Sequence, residues 1–143
     1  MTILKVEIVT PESALWVGQA TALMARSSEG EFAILPQHTS TVGDIVAGIV
    51  RVETADGEVA FAVHGGYFQV GPGTEEGVTL ATVLAGVAEK TTEIDVDRAQ
   101  LAKERAEAAL ASESRSDADA APSVHGAGAD LERAELRLRA AQR

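Results

Sequence analysis

Up to about residue 88, apolar positions recur in short runs with a period near two, interrupted by Gly, Pro and Asp. This pattern predicts strands at Ile3–Val9, Ala14–Val17, Thr21–Arg26, Phe32–Leu35, Ile45–Glu53, Val59–Val63, Tyr67–Val70 and Val78–Leu84. The clearest hairpin runs from Ile49 to Val63, where Asp56-Gly57 is the dipeptide of a type I′ turn. Gly65-Gly66 and Gly71-Pro72-Gly73 mark further breaks. After residue 90 the period changes to that of a helix. Thr92-Glu93-Ile94-Asp95 fits a capping box, with Asp95 itself a further N-cap candidate ahead of a helix over Val96–Ala111. Ala99, Ala102, Ala106 and Ala109 form a stripe along it. Asp130 is placed as the cap of a second helix, Leu131 to about Arg143, with Leu131, Ala134, Leu138 and Ala141 on one face. Residues 112–129 hold a single large apolar side chain, Val124, and are expected to be a flexible linker. The chain thus reads as an all-β N-terminal domain, residues 1–88, an antiparallel β-sandwich or flattened barrel. A C-terminal α-helical hairpin, residues 89–143, follows it.

Composition sharpens this picture. Apolar residues make up 45% of the 143 positions but aromatics only 3%, so the interior must be built from Val, Ile, Leu and Ala. Four alanine methyls on a helix interface contribute about 3 kcal/mol at most, because each is worth ~0.8 kcal/mol. A second helix of about 13 residues is marginal alone, which predicts a movable module. The chain has no cysteine, excluding disulfides and thiolate metal sites. Its opening residues lack the basic and long apolar regions of a signal peptide, and no run of 18 apolar residues predicts a membrane-spanning helix. The expectation is a cytoplasmic protein. Residues 1–94 carry 4 basic and 12 acidic side chains, and residues 95–143 carry 8 and 10. A front part with net charge −8 would repel nucleic acid and anionic lipid.

Several segments, in order, carry a family resemblance. Val6-Glu7-Ile8-Val9-Thr10-Pro11-Glu12 is followed by Gly18, then by Gly30-Glu31-Phe32-Ala33-Ile34-Leu35-Pro36-Gln37-His38, similar to a "G-E-x-x-I-L-P-x-H" signature. Gly65-Gly66-Tyr67-Phe68 stands for a "G-G-F" step, and Ile94-Asp95-Val96-Asp97-Arg98-Ala99 for an "I/L-D-x-x-R-A" helix start. The chain resembles the epsilon subunit of bacterial F-type ATP synthases. That resemblance implies a non-catalytic part of the central stalk, peripheral at the cytoplasmic face of the cell membrane, bound to the gamma subunit and resting on the membrane ring of c subunits. It also implies a hairpin able to extend toward the catalytic alpha and beta subunits and restrain ATP hydrolysis. Two departures bear on that restraint: the segment 112–129 is longer than the family's tight interhelical turn, and the chain stops at Arg143.

The resemblance singles out candidate contacts. It places His38, with Glu29 and Glu31, at a ring-facing end, whereas His38 read alone is a turn residue bonding its own backbone. No cofactor is required, but a regulatory ATP is a candidate ligand, mapped by motif to Glu89, Asp95, Arg98, Arg105, Arg139 and Arg143. Arginine suits phosphate through its planar fork, although Arg98 and Arg105 lie about 10.5 Å apart along the axis. The simpler reading makes Asp95 a helix cap with Arg98 paired at i,i+3. Arg133, Arg137, Arg139 and Arg143 make the last helix basic, either as a solvated face or as a salt-sensitive contact. Trp16 is expected at a sandwich edge. His64-Gly65-Gly66 lacks a G-x-S-x-G nucleophile, and no G-x-x-x-x-G-K-[ST] loop is present. His38, His64 and His125 share no ligand spacing, so no metal is proposed. The rival functions are a free-standing β-sandwich adaptor or ligand-binding module and, more remotely, an enzyme.

Overall fold

A computed structural model of the chain describes residues 2–116 and 127–142. It divides into two compact units, Met1–Lys90 and Thr91–Arg143. The first unit contains ten strands: β1 Ile3–Val9, β2 Ala14–Ala20, β3 Ala22–Ser27, β4 Gly30–Ile34, β5 Thr41–Ile45, β6 Gly48–Thr54, β7 Gly57–Val63, β8 Gly66–Pro72, β9 Val78–Ala85 and β10 Ala88–Lys90. They form two five-stranded sheets, ordered β2-β1-β9-β8-β5 and β10-β7-β6-β3-β4. Among the described residues β1 and β9 make the one parallel pair, and all other neighbours are antiparallel.

Alternation explains which side chains go inside. Leu4, Val6 and Ile8 of β1 and Ala81, Val83 and Ala85 of β9 face the interior, where they meet Val50 and Val52 of β6 and Phe61 and Val63 of β7. The few aromatic rings are used at its centre. Phe61 is fully buried, and Phe68 tilts against Phe32 with ring centroids 4.5 Å apart. Trp16 is half-buried and packs against this core from the edge strand β2.

Two strands go beyond the eight expected. The run Ile45–Glu53 is broken at Val46-Ala47, and β5 and β10 are additions. The β6–β7 turn also differs from the type I′ expectation. Thr54 pairs with Gly57, so the central residues are Ala55 and Asp56, and neither has positive φ. Gly57 takes the positive φ instead, at 127°. A right-handed turn followed by a glycine in that region restores the strand twist. Thr54 fixes it, its Oγ1 accepting from Asp56 N–H at 3.2 Å and donating to the Gly57 carbonyl at 2.8 Å.

The second unit begins with a 3-10 turn at Thr91–Glu93, followed by α1 Val96–Ser116 and α2 Ala127–Ala141, which pack together. Thr92 lies within the 3-10 turn and does not cap α1. Asp95 does, its carboxylate accepting from Arg98 N–H at 3.0 Å. Helix α1 runs five residues into the expected linker and α2 takes in 127–129; the rest of that linker, 117–126, lies outside the described residues. Asp130 is therefore inside α2, where it pairs with Arg133. The alanine stripe is shifted too. Ala99 and Ala106 are buried, but Ala109 is exposed and Leu110 half-buried in its place. On α2 the buried residues are Ala134, Leu136 and Ala140, a wider arc than the one face expected.

Truncating Phe61 to Ala is expected to destabilise the first unit by about 3–5 kcal/mol, as for other large-to-small core changes. Leu101→Ala, at a position 52% exposed on α1, should stay within about 0.5 kcal/mol. Urea unfolding of the full chain measures both.

Candidate functional site

The register that buries one side of the β2-β1-β9-β8-β5 sheet arranges the other side into rows. Asp44 of β5 stands opposite Tyr67 of β8, Tyr67 opposite Leu84 of β9, and Leu84 opposite Val9 of β1. Directly opposed residues share a face. Tyr67 is 65% and Leu84 46% exposed, so an apolar row lies open on the outside of a strongly acidic unit. The neighbouring row runs Val42, Gln69, Thr82, Glu7, Val17, with Val42 exposed at 72%. An apolar surface with little charge in its middle suits docking of another protein. This row was not singled out from the sequence. The available signal was β9, Val78-Thr79-Leu80-Ala81-Thr82-Val83-Leu84-Ala85, which is apolar at outward as well as inward positions.

The structure places Glu29, Glu31 and His38 along β4, but not at one end of it. Glu29 lies in the turn before β4, and Glu31 is exposed near that strand's start, opposite Arg26. His38 follows the other end of β4, about 13 Å further on for a five-residue strand at ~3.3 Å per residue. Glu29 and Glu31 thus stand at one end of β4 and His38 beyond the other. Around His38 the loop is tightly held. Its N–H donates to the Leu35 carbonyl at 3.1 Å, and its Nδ1 lies 2.8 Å from the Thr39 carbonyl. Gln37 has φ 69°, the single positive-φ non-glycine residue among those described. Its N–H donates to Oγ1 of Thr79, a buried polar side chain on β9, at 2.9 Å. Thr79 thus pins the loop at its most strained residue.

The candidate nucleotide residues are not gathered within one unit. Glu89 is half-buried on β10 of the first unit. Asp95 and Arg98 meet through the N-cap bond rather than through an ion pair of their side chains. Arg98 and Arg105 are exposed on α1, Arg139 is exposed on α2, and Arg143 lies outside the described residues. The arginines of α2 do not form one basic face. Arg133 is taken up by Asp130, Arg137 is half-buried, and Arg139 stands exposed elsewhere on the helix. Among the described residues no group of three or more His, Cys, Asp or Glu side chains could hold a metal ion. His64 sits in the β7–β8 turn with its N–H on the Val87 carbonyl, and His125 lies outside the described residues. No helix among the described residues is long and apolar enough to cross a membrane.

Residues 3–91 match the family described as "ATP synthase, Delta/Epsilon chain, beta-sandwich domain", and residues 92–142 match "ATP synthase, Delta/Epsilon chain, long alpha-helix domain". The chain belongs to the ATP synthase delta/epsilon family. Among its relatives, the ATP synthase epsilon chain of Alkalihalophilus pseudofirmus is 39% identical over 77% of this chain and 78% of its own length. That of Halalkalibacterium halodurans is 35% identical over 99% of this chain and 93% of its own. The fold is also similar to a chain in the mitochondrial ATP synthase assembly of Euglena gracilis that holds OSCP, F1 and the c-ring. There the TM-score is 0.65 at 23% identity, covering 96% of this chain and 76% of that one. The delta/epsilon family's β-sandwich and long-helix parts correspond to the two halves described above.

Thr79→Val keeps the side-chain shape but removes the acceptor for Gln37 N–H. It should cost about 1–3 kcal/mol, the penalty for a hydrogen-bonding group left without its partner. Urea unfolding reads the loss, Gln37 amide exchange should accelerate, and Thr79→Ser should restore both.

Proposed function

We propose that this chain is a non-catalytic subunit of the central stalk of a proton-translocating F-type ATP synthase. In this reading it turns with the rotor and helps carry rotation between proton flow and ATP synthesis. The observation that carries the proposal is the open apolar row Tyr67, Leu84 and Val9 on an acidic sandwich of the delta/epsilon family. That surface suits the gamma subunit of the stalk. The turn bearing Glu29, with Glu31 beside it, is assigned to the ring of c subunits. The His38 loop, at the other end of β4, is assigned to the stalk instead. The protein then sits peripherally at the cytoplasmic face of the cell membrane, held there by protein contacts. The absence of a G-x-x-x-x-G-K-[ST] loop from the sequence accords with a subunit that does not hydrolyse ATP itself.

The helical hairpin is the regulatory part of the proposal. Its buried residues are mostly alanines, Ala99, Ala106, Ala134 and Ala140, whose methyls contribute about 0.8 kcal/mol each. An interface of that strength suits a segment that extends along the stalk toward the alpha and beta subunits and restrains ATP hydrolysis. A regulatory ATP is the second reading, favoured by the exposed guanidinium groups of Arg98 and Arg105 on α1. The cap at Asp95 accounts for that motif without a ligand.

Affinity purification from solubilised membranes separates the functions. The stalk subunit co-purifies with a multi-subunit, membrane-attached ATPase. Recovery only as a free monomer would favour a β-sandwich adaptor, and turnover by the isolated chain would favour an enzyme. Within the complex, deleting the residues after Glu93 is expected to raise ATP hydrolysis while assembly persists; failure to assemble would assign docking to the hairpin instead. Titration calorimetry with ATP should give binding that Arg98→Ala abolishes, and no heat with the unmodified chain reduces the motif to a cap.

A further inference from the structure

Asp44 occupies a junction between the two sheets. Strand β5 is the free edge of its sheet, and Ile45 and Gly43 face inward. A Cβ on Gly43 would come within 2.5 Å of the Phe68 ring, so the strand lies flat on that ring as only glycine allows. The intervening residue, Asp44, is thereby turned to the outer face, opposite Tyr67. Its hydrogen-bond partner comes from the other sheet. In the turn between β3 and β4, Ser28 donates its backbone N–H to Asp44 Oδ2 at 3.0 Å and its hydroxyl to Oδ1 at 3.1 Å.

One donor on each carboxylate oxygen fixes orientation in a way that a single bond does not. The Ser28 backbone N–H, and then its hydroxyl, hold the Asp44 carboxyl below its ordinary value. Other bonds in the turn stay within it: Ser27 Oγ accepts from Glu29 N–H at 3.2 Å and donates to the Gly30 carbonyl at 3.2 Å. A second tie lies close by: the N–H of Val46, just after β5, donates to the Arg26 carbonyl at 3.0 Å, one cross-strand pair from the turn. The charged side chains on and beside the turn are Arg26, Glu29 and Glu31.

We propose that Asp44 is a positioning residue that locks the Ser28–Glu29 turn to the outer face of the first sheet. The turn and the Tyr67–Leu84–Val9 row then act as one rigid contact. This rests on the reading above, in which the row meets the stalk and the turn meets the ring. A part that hands torque from one neighbour to another needs a stiff link between its two contacts. Without the latch, no side chain of the first sheet would hold Ser28 itself, and the turn would rest on its own two strands and the Val46–Arg26 bond beside it.

Two measurements test it. In the isolated full chain, Asp44→Ala is expected to speed hydrogen exchange of the Ser28 amide by about tenfold, the worth of a hydrogen bond to a charged group. Asp44→Asn retains an acceptor and should largely restore protection. In the membrane complex, Asp44→Ala should lose proton pumping per ATP hydrolysed, with the amount of assembled chain and its melting temperature unchanged, and Asp44→Asn should recover it. Unchanged Ser28 exchange overturns the latch. Faster exchange with unchanged pumping, or pumping lost only in step with stability, overturns the positioning role. If Asp44→Ala fails to fold, Ser28→Ala removes the hydroxyl arm alone and is read against the same outcomes. Should the unmodified chain itself never join an ATPase, the stalk reading fails and takes this role with it. That result is distinct from a complex in which variant and unmodified chains behave alike.

Discussion

The parallel pairing of β1 with β9 sets the register on which the sandwich depends. It joins the start of the unit to its far end, from Ile3 opposite Val78 to Val9 opposite Leu84. A parallel pair cannot be closed by a hairpin, so the intervening chain must build the rest of the structure to bring these strands together. Closure of a long loop costs only slowly more with length, and here it is offset by burial of Leu4, Val6 and Ile8 against Ala81, Val83 and Ala85. The same pairing sets the outer surface. Because side chains alternate, a slip of one residue would turn the core outward and the row of Leu84 and Val9 inward. The outer apolar row and the core are therefore two sides of one register.

What was legible in the sequence follows from this. Strands such as β1 and β7 announce themselves by local alternation, and the start of α1 by its cap and alanine spacing. Strand β5 did not. Thr41-Val42-Gly43-Asp44-Ile45 carries Gly and Asp, both disfavoured in strands. It forms because β8 offers a ladder and Phe68 leaves room only for glycine at position 43. The extension of α1 through Ser112-Glu113-Ser114-Arg115-Ser116 was hidden for another reason. Those residues look like linker, yet continuing an existing helix costs only tenths of a kcal/mol per residue, whereas starting one is expensive. The apolar row was beyond local reading altogether. Tyr67, Leu84 and Val9 are separated widely in the chain and become neighbours only through the strand register. Glu29, Glu31 and His38 are near in sequence, but their spacing did not show that β4 leaves Glu29 and Glu31 at its start and carries His38 beyond its far end.

The helical unit is built on a different scale of energy. Its buried alanines allow close approach of α1 and α2 but remove little apolar area, and Leu136 is the one large side chain on the described helix residues that is almost wholly buried. Surface pairs such as Lys103–Glu107, 3.9 Å apart, contribute less than about 1 kcal/mol. By contrast the sandwich buries Phe61, Leu4, Ile8, Leu23 and Ile34 nearly completely. Elements that move are drawn from the less stable parts of a structure, so the hairpin, rather than the sandwich, is suited to change state.

Charge then separates two kinds of contact. The sandwich side of the chain has net charge −8 over residues 1–94, which repels an anionic lipid surface. In the proposed reading a subunit of that charge is held beside the membrane by protein partners, and the apolar row of Tyr67, Leu84 and Val9 is a surface offered to them. Apolar burial is little affected by ionic strength, whereas contacts made by exposed arginines on α2 are screened over about 8–10 Å at physiological salt. In the proposed reading the two attachments rest on different physics: a register-fixed apolar surface for the permanent one, and screened charge on a weakly packed helix pair for the switchable one.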